Sequence, residues 1–175
     1  MSKQSLIATD GGYGEDPINA RYFRDVLSHY PTGVCAVTGF SEAGSPLAMV
    51  VGTFNSVSLD PPLVGFLPAR SSDTWPLLRE TGRFCINVLA ADQKALCIRM
   101  SAKGVDRFDG LDWSVSLTGL PVIAGTVMWM ECDLETVCPA GDHDFVVGRV
   151  QEMKVETGKP PLLFHRGQYG ALSDV

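Results

Sequence analysis

The chain has 175 residues, of which 45% are hydrophobic and 19% are charged, and its formal net charge is −6. This length suits one domain with a sizeable core, and the negative charge disfavours binding to nucleic acid or to an anionic membrane surface. No segment approaches the roughly 20 consecutive apolar residues that a membrane-spanning helix needs. Composition therefore predicts a globular protein whose partners are neither nucleic acid nor membrane.

The N-terminal segment has neither the basic start nor the long apolar stretch of a secretory signal. We therefore expect a flexible tail at 1–16, a single domain at 17–175 and a cytoplasmic location. The five cysteines include no CxxC pair, and their odd number does not suit a disulfide framework. Cys138 and His143 lack two further ligands at suitable spacing, so no metal site is predicted.

The first predicted element is a helix that begins near Asp16 and Pro17, since aspartate caps free N–H groups and proline suits the first helical turn. Pro31 and Gly33 end it. The apolar stripe along it predicts a helix packed on a sheet. The residues of this stripe are Tyr22, Phe23, Val26, Leu27 and Tyr30.

Strand-like runs separated by turn residues follow this helix. Two further helices are predicted at 74–81, closed by Gly82, and at 92–100. In 127–137, apolar residues alternate with largely acidic ones, which indicates a strand with two different faces. The predicted strands cover 33–40, 47–54, 63–67, 83–89, 127–137, 144–155 and 162–169.

This order of elements favours one fold class. About seven short strands with helices between them predict a mainly β fold, an antiparallel barrel with flanking helices, and not a βαβ sheet. No GxGxxG follows a strand, so a Rossmann-type dinucleotide site is not predicted.

Two hydroxyl-bearing turns are the strongest functional signal. The first, 56–60, ends at Pro61 and Pro62, which cannot donate to a sheet ladder. The second, 70–74, combines Arg70 with two serines and a threonine. If the two turns face each other, their N–H groups, hydroxyls and arginine offer a site to a phosphate or another polar cofactor group.

With these segments in view, the sequence resembles the flavin reductase family, which is built on the FMN-binding split barrel. That family includes the small reductase components of two-component flavin-dependent monooxygenases. The resemblance covers roughly residues 20–172 and depends on several short segments occurring in the right order. These segments are Phe23-Arg24, Tyr30–Val34, Ser56–Pro62, Gly82–Leu89, Asp106–Phe108, Glu131-Cys132, Gly141–His143, Gly148–Val150 and Arg166–Tyr169.

The resemblance implies a flavin site, which needs an apolar wall, backbone donors and groups for the phosphate tail. Family members often have Gly-Met-Thr before the Ser-Val-Ser block, whereas Val50 here supplies no hydroxyl. A plain strand–turn–strand connection would also explain the hydroxyls of this region. The residues expected to line the flavin ring and ribityl chain are Val51, Gly52, Thr53, Asn55, Ser56 and Ser58.

The flavin tail phosphate is expected at Ser71, Ser72 and Thr74, although this segment would equally cap the following helix through Ser72 or Asp73. The resemblance also implies that Ser101, Lys103 and Arg107 reach the phosphate or the adenylate half from the next helix. Lys103 and Arg107 equally suit solvated surface charges.

The resemblance places a histidine near the nicotinamide, and His143 matches it. Its imidazole would hydrogen-bond the carboxamide or diphosphate of the dinucleotide, or else be a turn residue satisfied by a neighbouring aspartate. Thr32, Phe164 and Tyr169 are expected to complete the mouth of the site, although such aromatics also suit the core. No nucleophile or general base is expected, because hydride passes directly from nicotinamide to flavin.

The resemblance therefore implies an NAD(P)H:flavin oxidoreductase that supplies reduced flavin to a separate monooxygenase, as a homodimer with flavin sites near the subunit interface. Lys103 and Arg107 favour FAD over FMN, and the lack of an evident arginine cluster favours NADH over NADPH. Three alternatives remain open. They are a flavin-binding redox carrier or sensor, a split-barrel enzyme for haem or pyridoxamine phosphate, and a lipocalin-like barrel, against which the helical excursion at 74–108 counts.

Overall fold

The computed structural model describes residues 18–172, which form three helices and twelve strands. The predicted tail at 1–16 and helix start at Asp16 and Pro17 lie outside the described residues. The helices are α1 (Ala20–Ser28), α2 (Trp75–Thr81) and α3 (Lys94–Ser101), with a 3₁₀ turn at Ala91–Gln93. The strands are β1 (Thr32–Gly33), β2 (Cys35–Phe40), β3 (Pro46–Val51), β4 (Asn55–Ser58), β5 (Leu63–Phe66), β6 (Arg83–Val88), β7 (Trp113–Val115), β8 (Pro121–Ile123), β9 (Met128–Ala140), β10 (His143–Val155), β11 (Leu163–His165) and β12 (Gln168–Gly170).

Seven strands form one sheet in the order β3-β2-β6-β9-β10-β5-β4, with every neighbouring pair antiparallel. The long hairpin of β9 and β10 has register shifts at Val147/Gly148 and Val150/Glu152. Such bulges bend a strand and increase its twist. The edge strands β3 and β4 are not paired with each other, so the sheet is not closed into a complete barrel. The predicted class, a mainly antiparallel split barrel with flanking helices, is confirmed.

Several predicted strands are shorter or divided. The run predicted at 33–40 is split into β1 and β2, and the run predicted at 47–54 leaves the sheet after Val51. The run predicted at 162–169 is a hairpin, because Arg166 and Gly167 adopt positive φ angles of 48° and 75° that turn the chain. Gly82 closes α2 with a φ of 66°, as predicted.

Alternate residues of β2 face two apolar clusters. Cys35 and Val37 contribute to one cluster, which includes Phe66 and Phe84 of the main sheet. The neighbouring residue Ala36 joins a second cluster, which includes Cys97 and Met100 of α3. This packing fixes α3 against the sheet, so that its C-terminal end lies beside β3.

The largely acidic face of β9 is not exposed as a whole. The hairpin of β7 and β8 covers it, so that Trp129 packs with Leu120 and Val122. Glu131 is fully buried, and its Oε2 is hydrogen-bonded to the Thr118 hydroxyl. Alternation predicted the two faces correctly, but it does not reveal that a distant hairpin buries the first half of the acidic face, at Trp129 and Glu131, and leaves Glu135 exposed.

The prediction that α1 packs on the sheet is wrong. The helix begins after Asn19, whose Oδ1 accepts hydrogen bonds from the backbone N–H groups of residues 21 and 22. On its apolar side Phe23, Val26 and Leu27 are 53%, 49% and 52% exposed. Helical periodicity identifies an apolar face, but it does not say what covers that face. Within residues 18–172, none of the helices is long and apolar enough to span a membrane.

Candidate functional site

A cleft of about 460 Å³ lies between the end of β3, the segment after β5 and the C-terminal end of α3. This volume falls within the range of roughly 300 to 1,000 Å³ that is typical of small-molecule sites. Many of the site residues predicted from the sequence line it together. These are Val51, Gly52, Thr53, Ser71, Ser72, Thr74, Ser101, Lys103, Arg107 and His143.

Thr53 joins the two strand ends that form one wall of the cleft. Its Oγ1 accepts a hydrogen bond from the backbone N–H of Leu67 at 2.9 Å and donates to the carbonyl of the same residue at 3.3 Å. A Cβ on Gly52 would lie 3.0 Å from Oγ1 of Thr32, so this glycine permits the close packing of Thr32 behind the wall. Thr53 and Thr32 therefore stabilise the wall of the cleft.

The segment 70–74 supplies hydrogen-bond donors at the cleft. Ser72 Oγ accepts from the backbone N–H groups of Thr74 and Trp75 at 3.3 and 3.2 Å, which is the predicted capping role. Its own hydroxyl hydrogen remains available to a ligand. Within residues 18–172, the Ser71 hydroxyl and the N–H groups of Ser71 and Asp73 have no hydrogen-bond partner. This side of the cleft is therefore rich in donors.

Arg70, unlike the serines that follow it, does not line the cleft. Its Nε lies 3.3 Å from Asp144 Oδ1, and Trp75 Nε1 donates to Oδ2 of the same carboxylate at 3.0 Å. Asp144 is buried, so these two partners satisfy its charge and hold the segment 70–75 against β10.

Arg107 fixes the opposite side of the cleft. Its Nη1 donates to the Ala48 carbonyl of β3 and to Thr74 Oγ1, the latter at 2.8 Å. Its Nε and Nη2 both donate to the Ala102 carbonyl after α3, at 3.2 and 3.1 Å. Arg107 and Thr74 therefore face the cleft but already use these polar groups on the protein. Lys103 stands at the rim instead, with its Nζ 3.1 Å from Asp73 Oδ2 and its side chain 80% exposed.

His143 is positioned by the backbone on both sides of it. The N–H of Arg70 donates to the Asp142 carbonyl at 3.0 Å, and the N–H of Asp144 donates to the Pro68 carbonyl at 3.1 Å. The His143 Nδ1 lies 2.7 Å from Asp142 Oδ1, and this hydrogen bond, with the histidine's charge, lowers the pKa of Asp142. Because a carboxylate only accepts hydrogen bonds, Nδ1 carries the proton and Nε2 remains for a ligand.

The other predicted site residues lie outside this cleft. Phe164 and Tyr169 face each other across the β11–β12 hairpin, with ring centroids 5.1 Å apart, and Thr32 pairs with Phe164. The Tyr169 hydroxyl accepts a hydrogen bond from Cys97 Sγ at 3.3 Å. The remaining three, Asn55, Ser56 and Ser58, belong to β4, which is at the opposite edge of the sheet from β3. Ligand contacts for these six residues stay predictions.

The structure adds lining residues that sequence reasoning missed. Most of them are apolar, and an apolar residue beside a predicted site looks like ordinary core in a sequence. Leu67, Pro68 and Ala69 stand between β5 and the predicted hydroxyl turn, and this adjacency was the available signal. The full set of missed residues is Met49, Val50, Leu67, Pro68, Ala69, Asp73 and Met100.

The residues present fit a flavin phosphate. The donors at 71–73 and the Lys103 ammonium suit a phosphate, which takes several hydrogen bonds and a cation. The apolar side chains of Met49, Val51 and Met100 suit a flat ring.

Comparison with known proteins agrees with this chemistry. Residues 27–173 match the family described as flavin reductase like domain. A flavin reductase from Pseudomonas putida is 49% identical over 158 residues, which cover 90% of this chain and 93% of that protein. The FMN reductase (NADH) SmoA from Agrobacterium fabrum is 43% identical over 155 residues, with coverage of 89% and 87%. The flavin-dependent monooxygenase reductase subunit HsaB from Rhodococcus jostii is 38% identical over 165 residues, with coverage of 94% and 84%.

A solved structure shares the architecture. The crystal structure of nitrilotriacetate monooxygenase component B from Mycobacterium thermoresistibile superimposes with a TM-score of 0.84 and 37% sequence identity. The match covers 87% of this chain and 86% of that one. Sequence match, fold and cleft chemistry thus agree, and this chain belongs to the flavin reductase family.

Proposed function

We propose that this flavin reductase transfers hydride from NADH to FAD or FMN and supplies the reduced flavin to a separate monooxygenase. The observation that carries the proposal is the cleft itself, in which unpartnered donors at Ser71 and Asp73 stand opposite an apolar wall, with His143 at the edge. The names of two relatives support it, since one is an NADH-dependent FMN reductase and another a monooxygenase reductase subunit.

The protein's part in this reaction is to bind and orient. When bound, a flavin accepts a hydride directly from a reduced nicotinamide, so the protein needs no nucleophile. Ser71, Ser72 and Lys103 would hold the flavin phosphate, and Met49 and Val51 would pack against the ring. The free Nε2 of His143 would hydrogen-bond the nicotinamide carboxamide or the diphosphate. Holding the two reactants in the right orientation can remove a large share of the activation free energy of hydride transfer.

Both flavins are included in the proposal. The sequence favours FAD over FMN because Lys103 and Arg107 together could reach a diphosphate. Arg107 donates to two carbonyls and a hydroxyl of the protein, so that only Lys103 supports the preference directly. The relative named for FMN supports its inclusion.

The proposed assembly is a homodimer formed through the apolar side of α1. Phe23, Val26 and Leu27 are about half exposed and lie on one side of a short helix, which is unusual for a surface without a partner. We expect light scattering after gel filtration to give twice the chain mass, and Leu27→Arg to give a monomer. A wild-type monomer would contradict this part of the proposal.

We also propose that the protein works in the cytoplasm. All five cysteines are free, which is typical of proteins in a reducing compartment. Expression with the native N-terminus, followed by cell fractionation, tests this location.

The proposal is tested by combining the purified protein with FMN or FAD and with NADH or NADPH. Rapid, flavin-dependent loss of the near-ultraviolet absorbance of NADH is expected, and the four combinations identify the preferred pair. Reduced flavin should then pass through an ultrafiltration membrane that retains the protein. Tight, stoichiometric flavin without NAD(P)H oxidation would contradict the reductase reaction and favour a redox carrier or sensor.

A further inference from the structure

A second cleft, of about 720 Å³, lies between α1 and the turn that joins β11 to β12. Arg21, Arg24 and Arg166 line it. Within residues 18–172 none of these three guanidinium groups has an ion-pair partner. The carboxylate of Asp25 lines the same cleft, so three guanidinium groups against one carboxylate leave the site locally positive in a protein whose net charge is −6.

The arrangement of α1 brings these arginines together. Positions 21, 24 and 28 are separated by three and four residues and therefore share one side of the helix, which also carries Asp25 and lies opposite the apolar side. That polar side is turned toward the chain's own β11–β12 turn, where the N–H of Arg166 donates to the Ser28 carbonyl at 2.8 Å. The cluster is thus a product of tertiary structure, since Arg166 is distant in sequence from the other two.

The backbone at Arg166 points to a role for its side chain. Arg166 has a φ of 48°, the one positive φ of a non-glycine residue among residues 18–172. Asparagine and glycine tolerate this left-handed conformation, whereas an arginine there costs the fold stability. Its guanidinium makes no hydrogen bond or ion pair within residues 18–172 that would offset this cost. Local strain of this kind often marks a functional position.

The arginine cluster is connected to the first cleft through β11 and β1. Phe164, two residues before Arg166, pairs with Thr32, and a Cβ on Gly52 of the first cleft would lie 3.0 Å from Thr32 Oγ1. Asp142 is hydrogen-bonded to His143, which is the main cause of its low pKa, and the charge of Arg24 lowers the same pKa further. The charge of Arg24 thus acts on the aspartate that holds the histidine. A dinucleotide, which has a redox-active ring at one end and an adenylate at the other, suits two neighbouring clefts of this kind.

We propose that Arg21, Arg24 and Arg166 bind the phosphates of the adenylate half of a dinucleotide whose redox-active ring lies in the first cleft. Guanidinium groups suit phosphate oxygens because they donate two parallel hydrogen bonds and keep their charge. FAD and NAD(P)H share this adenylate diphosphate chemistry. The assignment rests on the proposed function, because that function is what brings a dinucleotide to the first cleft.

Direct binding tests the cluster without catalysis. ADP-ribose carries the adenylate and diphosphate but no nicotinamide, and its affinity can be measured by calorimetric titration. We expect Arg24→Gln and Arg166→Asn each to weaken ADP-ribose binding about tenfold, the typical effect of losing a charge-assisted hydrogen bond. Arg79→Gln is the matched control, because it removes an exposed guanidinium from α2, away from both clefts.

The Arg166→Asn variant separates a binding role from a structural one. Asparagine adopts positive φ more readily than arginine, so the melting temperature should stay equal or rise. Weaker ADP-ribose binding in a protein at least as stable as the wild type therefore reports lost phosphate contacts. Undiminished affinity in the Arg24→Gln/Arg166→Asn double variant would overturn the proposal.

Steady-state kinetics identify which dinucleotide binds to the three arginines. If it is NADH, the variants raise the KM for NADH but not for reduced nicotinamide mononucleotide, which lacks the adenylate. If it is FAD, they raise the KM for FAD but not for FMN. An equal effect on the truncated and complete ligands would overturn the proposal.

The two proposals can fail separately. Flavin reduction by the wild type, with the same ADP-ribose affinity in wild type and variants, overturns the arginine site and leaves the reductase. Loss of ADP-ribose affinity in the variants, with no NAD(P)H oxidation by the wild type, supports the phosphate site and overturns the reductase.

Discussion

The Nδ1 atom of His143 lies 2.7 Å from Oδ1 of Asp142, at the edge of the cleft that carries the serine donors. Asp142 is 95% exposed, so it does not serve the core; it orients the imidazole. This pair leaves one ring nitrogen for a ligand at the first cleft. It is therefore the position at which a nicotinamide contact is best tested.

We expect His143→Ala to raise the KM for NADH about tenfold, since the variant loses one hydrogen bond that involves a polar or charged ligand group. The flavin dissociation constant, from fluorescence titration, should change less than about twofold. Asp142→Asn should give a smaller increase in KM because an amide orients the imidazole less firmly. Steady-state kinetics equal to those of the wild type would remove His143 from the site.

Arg107→Met should lower the free energy of unfolding by about 3 kcal/mol, because the carbonyls of Ala48 and Ala102 and the Thr74 hydroxyl lose their donors in a partly buried place. Urea denaturation measures this change. A variant as stable as the wild type would contradict the structural role that these hydrogen bonds assign to Arg107.

Lys103→Gln is the counterpart on the rim of the same cleft. Its side chain is 80% exposed, so the free energy of unfolding should change by less than about 0.5 kcal/mol. Binding of FMN should weaken while binding of riboflavin, which has no phosphate, stays the same. Equal weakening for both flavins would contradict a phosphate contact.

Gly148→Ala should destabilise the fold by about 1 to 3 kcal/mol through overpacking. A Cβ at Gly148 would lie 2.5 Å from Phe84 Cζ and 2.9 Å from Cys132 Cβ, in the centre of the main core. Gly158→Ala is the matched control, because a Cβ there meets nothing within 4 Å. Equal urea midpoints for the two variants would contradict the packing described for β10.

The native protein should expose one reactive thiol to Ellman's reagent, that of Cys138. Burial raises the pKa of Cys35 and Cys132 to about 12 and that of Cys85 further, so these thiols carry no thiolate near neutral pH. Cys138→Ser should abolish the native reaction, and all five wild-type thiols should react in denaturant. A prompt native reaction in Cys138→Ser would show that a buried cysteine is accessible.

Local sequence patterns were enough to predict the fold class and much of the cleft. Alternating apolar residues and the glycine at position 82 act by short-range sterics, and they predict the long strands and the end of α2. The short strands β4, β7 and β8 were not predicted, and the runs at 33–40 and 162–169 are divided. The hydroxyl-rich turn at 70–74 and His143 were predicted as site residues because their chemistry is readable one segment at a time. Both line one cleft.

The sequence by itself thus determined the fold class, most of the long strands, which turns carry donors and which family the chain resembles. Only the tertiary structure decided that Arg107 bonds to Ala48 and Thr74, and that Arg21 and Arg24 of α1 meet Arg166. It also decided that β4 with its serines lies at the sheet edge opposite β3. The reason is physical: backbone conformation depends on near neighbours, whereas these contacts depend on strand order and register, which residues far apart in the chain fix together.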